Sequence, residues 1–276
     1  MNPKISIIIA CYNDPDVVRA VESAAKQTYM EKEIIVIDDG SDAQTKKAIK
    51  AVTDSIDVLI TQKNQGQSIA RNNGIAKTSG EYILNLDSDD FFEPSFCEKA
   101  VKLMQEDPEV KIVTCQARRF TKEKEIDIYT PAGGDYRNFM VSNSALGSSM
   151  FRKADWEACG GYETELPILG FEDWEFYLNI LKNGGRAEVI KKVLFNYQVG
   201  KNSTTTRIKN LKHEKFGQIV FKHKDLYIEH FDLLVNELFA RLNKEENEKM
   251  KISDKLDFRI GSKLLAPLRS IKKLLK

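Results

Sequence analysis

Two acidic clusters in this sequence come directly after apolar, β-branched runs. Asp87-Ser88-Asp89-Asp90 follows 82–86, and Asp38-Asp39-Gly40-Ser41 closes the run that starts at Glu33. Carboxylates this close repel one another. A hard divalent cation relieves that repulsion, and Mg²⁺ typically takes one or two carboxylates plus substrate phosphates. The competing reading of the first cluster is an Asp-rich turn that satisfies its own backbone. Asp39 offers an acceptor to a base N–H or a ribose hydroxyl, although Asp-Gly-Ser is also ordinary turn and cap chemistry. A third group is Asn64-Gln65-Gly66 followed by Ala70-Arg71-Asn72. A glycine ahead of a helix leaves amides open to an anion, and Arg71 is of the type that pairs with phosphate. The spacing is not GxGxxG, so no dinucleotide fingerprint is present. A fourth group, Gly170-Phe171-Glu172-Asp173-Trp174-Glu175, sets carboxylates beside an aromatic ring. The ring suits an apolar sugar face and the acid suits a hydroxyl proton. Acids in the first turn of a helix are also favoured by its dipole alone.

The elements that must position these groups alternate in period. Strands are expected at 5–10, 33–38, 58–61, 82–86 and 110–115, and helices at 14–27, 42–52, 67–77 and 94–106, with Pro94 in a first turn. Strand–helix alternation implies parallel strands with right-handed crossovers, hence a doubly wound α/β sheet. Acidic clusters at strand carboxyl ends then stand where such sheets collect ligands. The stretch 117–147 reads as irregular loops over the sheet. A strand end is expected at 149–152, a helix at 173–182 closed by Gly184-Gly185, and a last pair of strands at 187–190 and 194–197. Beyond Arg207 the pattern is helical. From Phe258 on there are six basic residues and no acidic ones, interleaved with Leu and Ile at helical spacing. That is the pattern of a basic amphipathic tail on an anionic membrane surface, or of a helix packed on the domain.

Composition excludes other classes. Lys and Arg number 42 against 41 Asp and Glu, so the chain carries no general attraction to a nucleic-acid backbone. No apolar run reaches membrane-span length. Cys11, Cys97, Cys115 and Cys159 form no CxxC pair, which fits a reduced cytoplasmic protein without a zinc cluster. His213, His223 and His230 have no metal-ligand spacing and read as surface residues. GxSxG and GxxxxGK[ST] are both absent.

Taken in order, Ser6-Ile7-Ile8-Ile9-Ala10-Cys11-Tyr12-Asn13, Val36-Ile37-Asp38-Asp39-Gly40-Ser41, Asn64-Gln65-Gly66 with Ala70-Arg71-Asn72, Asp87-Ser88-Asp89-Asp90 and Glu172-Asp173-Trp174 resemble the family 2 glycosyltransferases across about residues 4–205. The resemblance implies a GT-A (Rossmann-like) fold, with a mostly parallel sheet flanked by helices and a helical C-terminal extension. It implies a domain over 1–207, with a nucleotide-binding part to about 120 and an acceptor part to 207. The extension with its basic tail would then cover 208–276. It also implies a nucleotide-diphospho-sugar donor (UDP-linked), a Mg²⁺ or Mn²⁺ ion and inversion at the anomeric carbon. The basic C-terminal tail suits a hydroxyl of a glycan or lipid-linked acceptor in cell-surface polysaccharide synthesis, with the protein expected in the cytoplasm, at the inner face of the membrane.

Position by position, Ala10 and Tyr12 border the nucleotide, Asp39 takes a hydrogen bond from the base, and Arg71 lies at the nucleotide. Asp87 faces the ribose and metal region, with Ser88 in the same donor site, and Asp89 ligates the metal. Asp173 is the general base with Glu172 beside it, and Trp174 meets the acceptor. Gly200 stands where family members often carry a histidine, leaving water, phosphate or Lys201 to complete that region. No QxxRW follows, which favours one sugar added per encounter. The alternative is a degenerate, nucleotide-sugar-binding subunit. A phosphatase built on Asp87 and Asp89 is disfavoured, because Phe91 stands where DxDx[TV] requires Thr or Val.

Overall fold

The computed structural model describes residues 2–200, 209–255 and 260. The chain divides into two compact units, 1–226 and 227–276. The first is built on one nine-stranded sheet. Strands β1 (Ile5–Cys11), β2 (Lys32–Asp38), β3 (Val58–Thr61) and β4 (Tyr82–Asn85) lie in the order β3-β2-β1-β4, all parallel. β1 and β2 are apolar on both faces and buried on both, as parallel strands under helices must be. Helices α1 (Val17–Ala25), α2 (Ala43–Ala51) and α3 (Gln67–Ile75) make the crossovers. Asp42 caps α2 by accepting from the Thr45 amide at 2.8 Å. At Gly74 a Cβ would sit 2.5 Å from Ile37 Cδ1, so glycine lets α3, the carrier of Arg71, lie directly on the sheet.

Past β4 the sheet changes direction. Strands β5 (Phe91–Phe92), β6 (Val110–Phe120), β7 (Glu125–Tyr129), β8 (Met150–Arg152) and β9 (Arg186–Gln198) extend the order to β3-β2-β1-β4-β8-β6-β9-β5, with β7 on β6. β8 is antiparallel to both β4 and β6, while β6 and β9 are parallel. Helices α4 (Phe96–Glu106), α5 (Tyr136–Phe139), α6 (Lys153–Cys159) and α7 (Glu172–Leu181) complete the domain body. One face of the sheet packs with α1 and α4. Phe139, Phe151, Phe176 and Tyr177 form a second buried aromatic group, with Phe151 edge-on to Phe176 at 4.9 Å.

Four expectations are corrected. The stretch at 117–147 is not all loop: β6 runs on to Phe120 and pairs with β7 as a hairpin. The expected pair of strands at 187–197 is one strand, whose register against β6 shifts around Cys115–Ala117. Lys191 and Lys192 fall in that bulge and break the apolar pattern. Pro94 precedes α4 rather than entering its first turn. His223 is buried, not a surface residue. Helix α6 had no sequence signal, because none of its residues is fully buried.

The second unit holds the helix Phe231–Asp254, which has no fully buried residue. No helix among the described residues is long and apolar enough to cross a membrane. The basic tail from Phe258 lies outside the described residues except for Ile260.

Glu33 ties β2 to the loop before β4. Its carboxylate accepts from Ser6 Oγ (2.5 Å), Ser79 N (2.7 Å), Ser79 Oγ (2.9 Å) and Lys4 Nζ (2.9 Å). Burial works against its charge, and the bonds from Lys4, Ser6 and Ser79 outweigh it, bringing Glu33 down to about 2. A carboxyl depressed in the folded state stabilises above its unfolded value, and that stability is lost as pH falls. Glu33→Gln is therefore expected to cost about 1–3 kcal/mol at pH 7. The gap to wild type should close as pH drops from 4.5 toward 2. Urea melts across that range check this, and a pH-independent gap contradicts it.

Candidate active site

Chain reversal after β4 puts Asp87–Asp90 in a tight turn, closed by the Asp90 amide donating to Asp87 O at 3.1 Å. Arg71 Nη2 and Gln67 Nε2, both from α3, donate to Asp87 Oδ1 at 2.6 and 3.0 Å. The Asp87 amide donates to Ser148 Oγ at 3.2 Å. Ser88 Oγ donates to Asp14 Oδ2 at 2.5 Å. Arg19 Nη2 donates to Asp89 O at 2.5 Å, with its guanidinium 4.9 Å from the Phe91 ring centre. Burial, then Asp87 and Asp14, push the half-buried Asp89 up to about 7. Asp90 is 1% exposed and accepts from the Gln198 amide at 2.7 Å. Its Oδ2 has no partner among the described residues.

The other end of the site is the start of α7. Glu172 Oε2 accepts from the Gly170 amide at 2.6 Å. Asp173 Oδ1 accepts from the Trp174 amide, and its Oδ2 accepts from Asn143 Nδ2, both at 2.9 Å. A Cβ on Gly147 would meet Asp173 Oδ2 at 2.8 Å, so the loop 143–148 touches Asp173 at one end and Asp87 at the other. Burial raises both acids; Asp173 adds to Glu172, and Arg71 pulls each back.

Arg71 joins the two ends. It is 4% exposed, bonded to Asp87, and 5.3 Å from the Tyr162 ring centre. Burial opposes its charge, but Asp87, Tyr162, Glu172 and Asp173 together hold it firmly protonated. One buried cation thus bonds Asp87 and is also stabilised by the charges of Glu172 and Asp173, which lie 85 and 86 residues further along the chain than Asp87.

The remaining expected residues lie as follows. Asp39 is buried and accepts from Gln62 Nε2 (2.7 Å), Gln65 N (2.9 Å) and Gly66 N (2.9 Å), so it ties the end of β2 to the N-terminus of α3. Its amide donates to Cys11 O at 2.9 Å, next to Ala10 and the half-exposed Tyr12. Trp174 is only 8% exposed. Its indole N–H donates to Phe139 O at 2.5 Å and its ring stacks on Phe216 at 5.3 Å. Trp174 is therefore part of the packing of α7, and contact with an acceptor would require Phe216 to move. Lys201 lies outside the described residues.

Sequence reasoning missed Asp14, Arg19, Gln67, Asn143, Ser148 and Tyr162, whose partners are all distant in the chain or set by loop geometry. No group of three or more metal-ligating side chains converges among the described residues. A divalent cation nevertheless fits the turn. Asp89 is crowded by Asp87 and Asp14, and the buried Asp90 Oδ2 has no partner. These are the features that an added positive charge relieves.

A twisted, mostly parallel sheet with acids at the carboxyl end of β4 and at the start of α7 defines a GT-A fold. Residues 6–155 match the model of Glycosyl transferase family 2, and the chain belongs to that family. It is 30% identical over 207 residues to WfaP of Escherichia coli, a UDP-Glc:alpha-D-GlcNAc-diphosphoundecaprenol beta-1,3-glucosyltransferase, covering 73% of this chain and 79% of WfaP. Among solved structures, TarS 1-349 of S. aureus in complex with UDP-GlcNAc superposes with TM-score 0.62 at 19% identity, covering 74% of this chain and 60% of that one. The mannosyltransferase PcManGT of Pyrobaculum calidifontis, in complex with GDP-Man and Mn²⁺, superposes with TM-score 0.61 at 18% identity, covering 99% and 88%.

Proposed function

We propose that this glycosyltransferase moves one sugar from a UDP-linked donor to a hydroxyl of a glycan or lipid-linked acceptor, with inversion, in cell-surface polysaccharide synthesis. The observation that carries the reading is Arg71, a buried cation bonded to Asp87 on the donor side and held protonated in part by the charges of Glu172 and Asp173 on the acceptor side. The UDP and lipid-linked parts are supported by the likeness to WfaP.

In this reading Asp39 meets the base, with Ala10 and Tyr12 bordering the nucleotide. Asp87, Ser88 and Arg71 hold the ribose and diphosphate side. Asp89, helped by Asp87, would hold Mg²⁺ or Mn²⁺, and the ion supplies Lewis-acid stabilisation of the leaving diphosphate. Asp173 removes the proton from the incoming hydroxyl, and its raised affinity for protons suits it to that role. Asn143 holds one carboxylate oxygen of Asp173 in place. Glu172, bonded to the Gly170 amide, fixes the turn that leads into α7. Attack from the face opposite the diphosphate gives inversion.

The degenerate-subunit reading loses ground, because Asp173 is present and held in a hydrogen-bonded cluster. A thermal-shift screen of nucleoside-diphospho-sugars with and without Mn²⁺ tests the proposal. A UDP-sugar is expected to raise the melting temperature most, and more with Mn²⁺. No shift with any UDP compound contradicts the reading.

A further inference from the structure

We propose that His223 and Lys222 are positioning residues: acting through Glu175, they fix the first turn of α7 and with it the Asp173 carboxylate. The inference rests on the reading of Asp173 as the base.

The helix Lys212–Lys222 and the residue after it turn one stripe toward α7. Lys215, Phe216, Ile219, Lys222 and His223 recur at the three- and four-residue spacing of a single helical face. Lys215 Nζ donates to Pro167 O at 2.8 Å, in the loop ahead of α7. The Phe216 ring lies nearly parallel to Trp174, 9° between planes, and Ile219 is wholly buried. Lys222 Nζ bonds to Glu163 Oε2 at 2.5 Å and to Glu175 Oε1 at 2.8 Å. His223 Nε2 reaches the same Glu175 Oε1 at 2.8 Å.

Glu175 is fully buried, and its Oε2 has no partner among the described residues. Its side chain therefore hangs on Lys222 and His223. A buried carboxylate is costly to leave uncompensated, so this grip is strong. Glu175 belongs to the same first turn as Asp173. Residues two apart on a helix point about 200° apart. A clamp on Glu175 thus sets the roll of α7 about its axis, which places Asp173 against Asn143 and Gly147 on the other side. Misplacing a reacting group by about 1 Å costs up to about 10²-fold in rate.

The test is a double-mutant cycle. It is read as UDP release with Mn²⁺ present and water as acceptor, from whichever UDP-sugar the wild type turns over fastest. UDP affinity is followed by calorimetry. His223→Ala is expected to lower kcat about 10- to 100-fold, with UDP affinity unchanged within about threefold. His223→Gln, which keeps a donor toward Glu175, is expected to recover most of the loss. In the Asp173→Asn background, His223→Ala is expected to change kcat little, because both act at one point. If His223→Ala does not fold, Lys222→Met carries the same expectations. A normal kcat with only a lowered melting temperature overturns the proposal, as does an equal loss with and without Asp173. An inactive Asp173→Asn beside an unaffected His223→Ala overturns this inference alone, whereas an active Asp173→Asn overturns the base assignment and this inference together.

Discussion

Replacing Asp173 with Asn is expected to lower kcat by about 10²–10⁴-fold, the usual worth of a positioned general base. UDP affinity should stay within a few-fold, because the groups assigned to the nucleotide come from the carboxyl ends of β1 and β2 and the residues just past them, from α3 and from the turn after β4. The substitution keeps the volume, and its one amide oxygen can keep the bond from the Trp174 amide, while its NH2 replaces the oxygen that now accepts from Asn143. It removes the ability to take a proton. Steady-state UDP release and calorimetric UDP binding separate the two effects. Parallel losses in kcat and UDP affinity would mean that Asp173 holds the donor instead.

Asp89→Ala is expected to act on the other half of the reaction. Charge stabilisation by a bound cation is worth several kcal/mol. At 1.4 kcal/mol per tenfold, its loss corresponds to about 10²-fold or more in turnover. UDP affinity should rise with Mn²⁺ in the wild type and be indifferent to Mn²⁺ in the variant. Arg19 holds the Asp89 carbonyl rather than its side chain, so the turn should survive the change. Circular dichroism and melting temperature check that. A variant whose UDP binding still responds fully to Mn²⁺ would remove Asp89 from the metal site.

The parallel half of the fold was legible because burial on both faces writes itself into β1 and β2 as unbroken Ile and Val. β9 was read as two strands because Lys191 and Lys192 occupy a bulge, where the alternation lapses without ending the strand. The motif acids were legible from type and position, since strand ends and helix starts confine them. Arg19 and Tyr162 were not, because their partners lie far away: Arg19 with Asp89, and Tyr162 with Asn85, whose side-chain amide donates to its hydroxyl. His223 was misplaced for the same reason. What buries it is a carboxylate 48 residues earlier, and no local pattern reports that. Trp174 is expected at the acceptor from its place beside Asp173, and nothing in the sequence signals its indole bond to Phe139 O or its stack on Phe216.

The central claim is that the acids after β4 and at the start of α7 flank one donor sugar. A crystal structure of the chain with UDP and Mn²⁺ tests it most directly. The account predicts an anomalous manganese peak shared by Asp89 and the diphosphate, the base beside Asp39, and Asp173 facing the same cavity from beyond the diphosphate. Manganese bound away from Asp89, or a nucleotide seated where Asp173 cannot face its diphosphate, would contradict it.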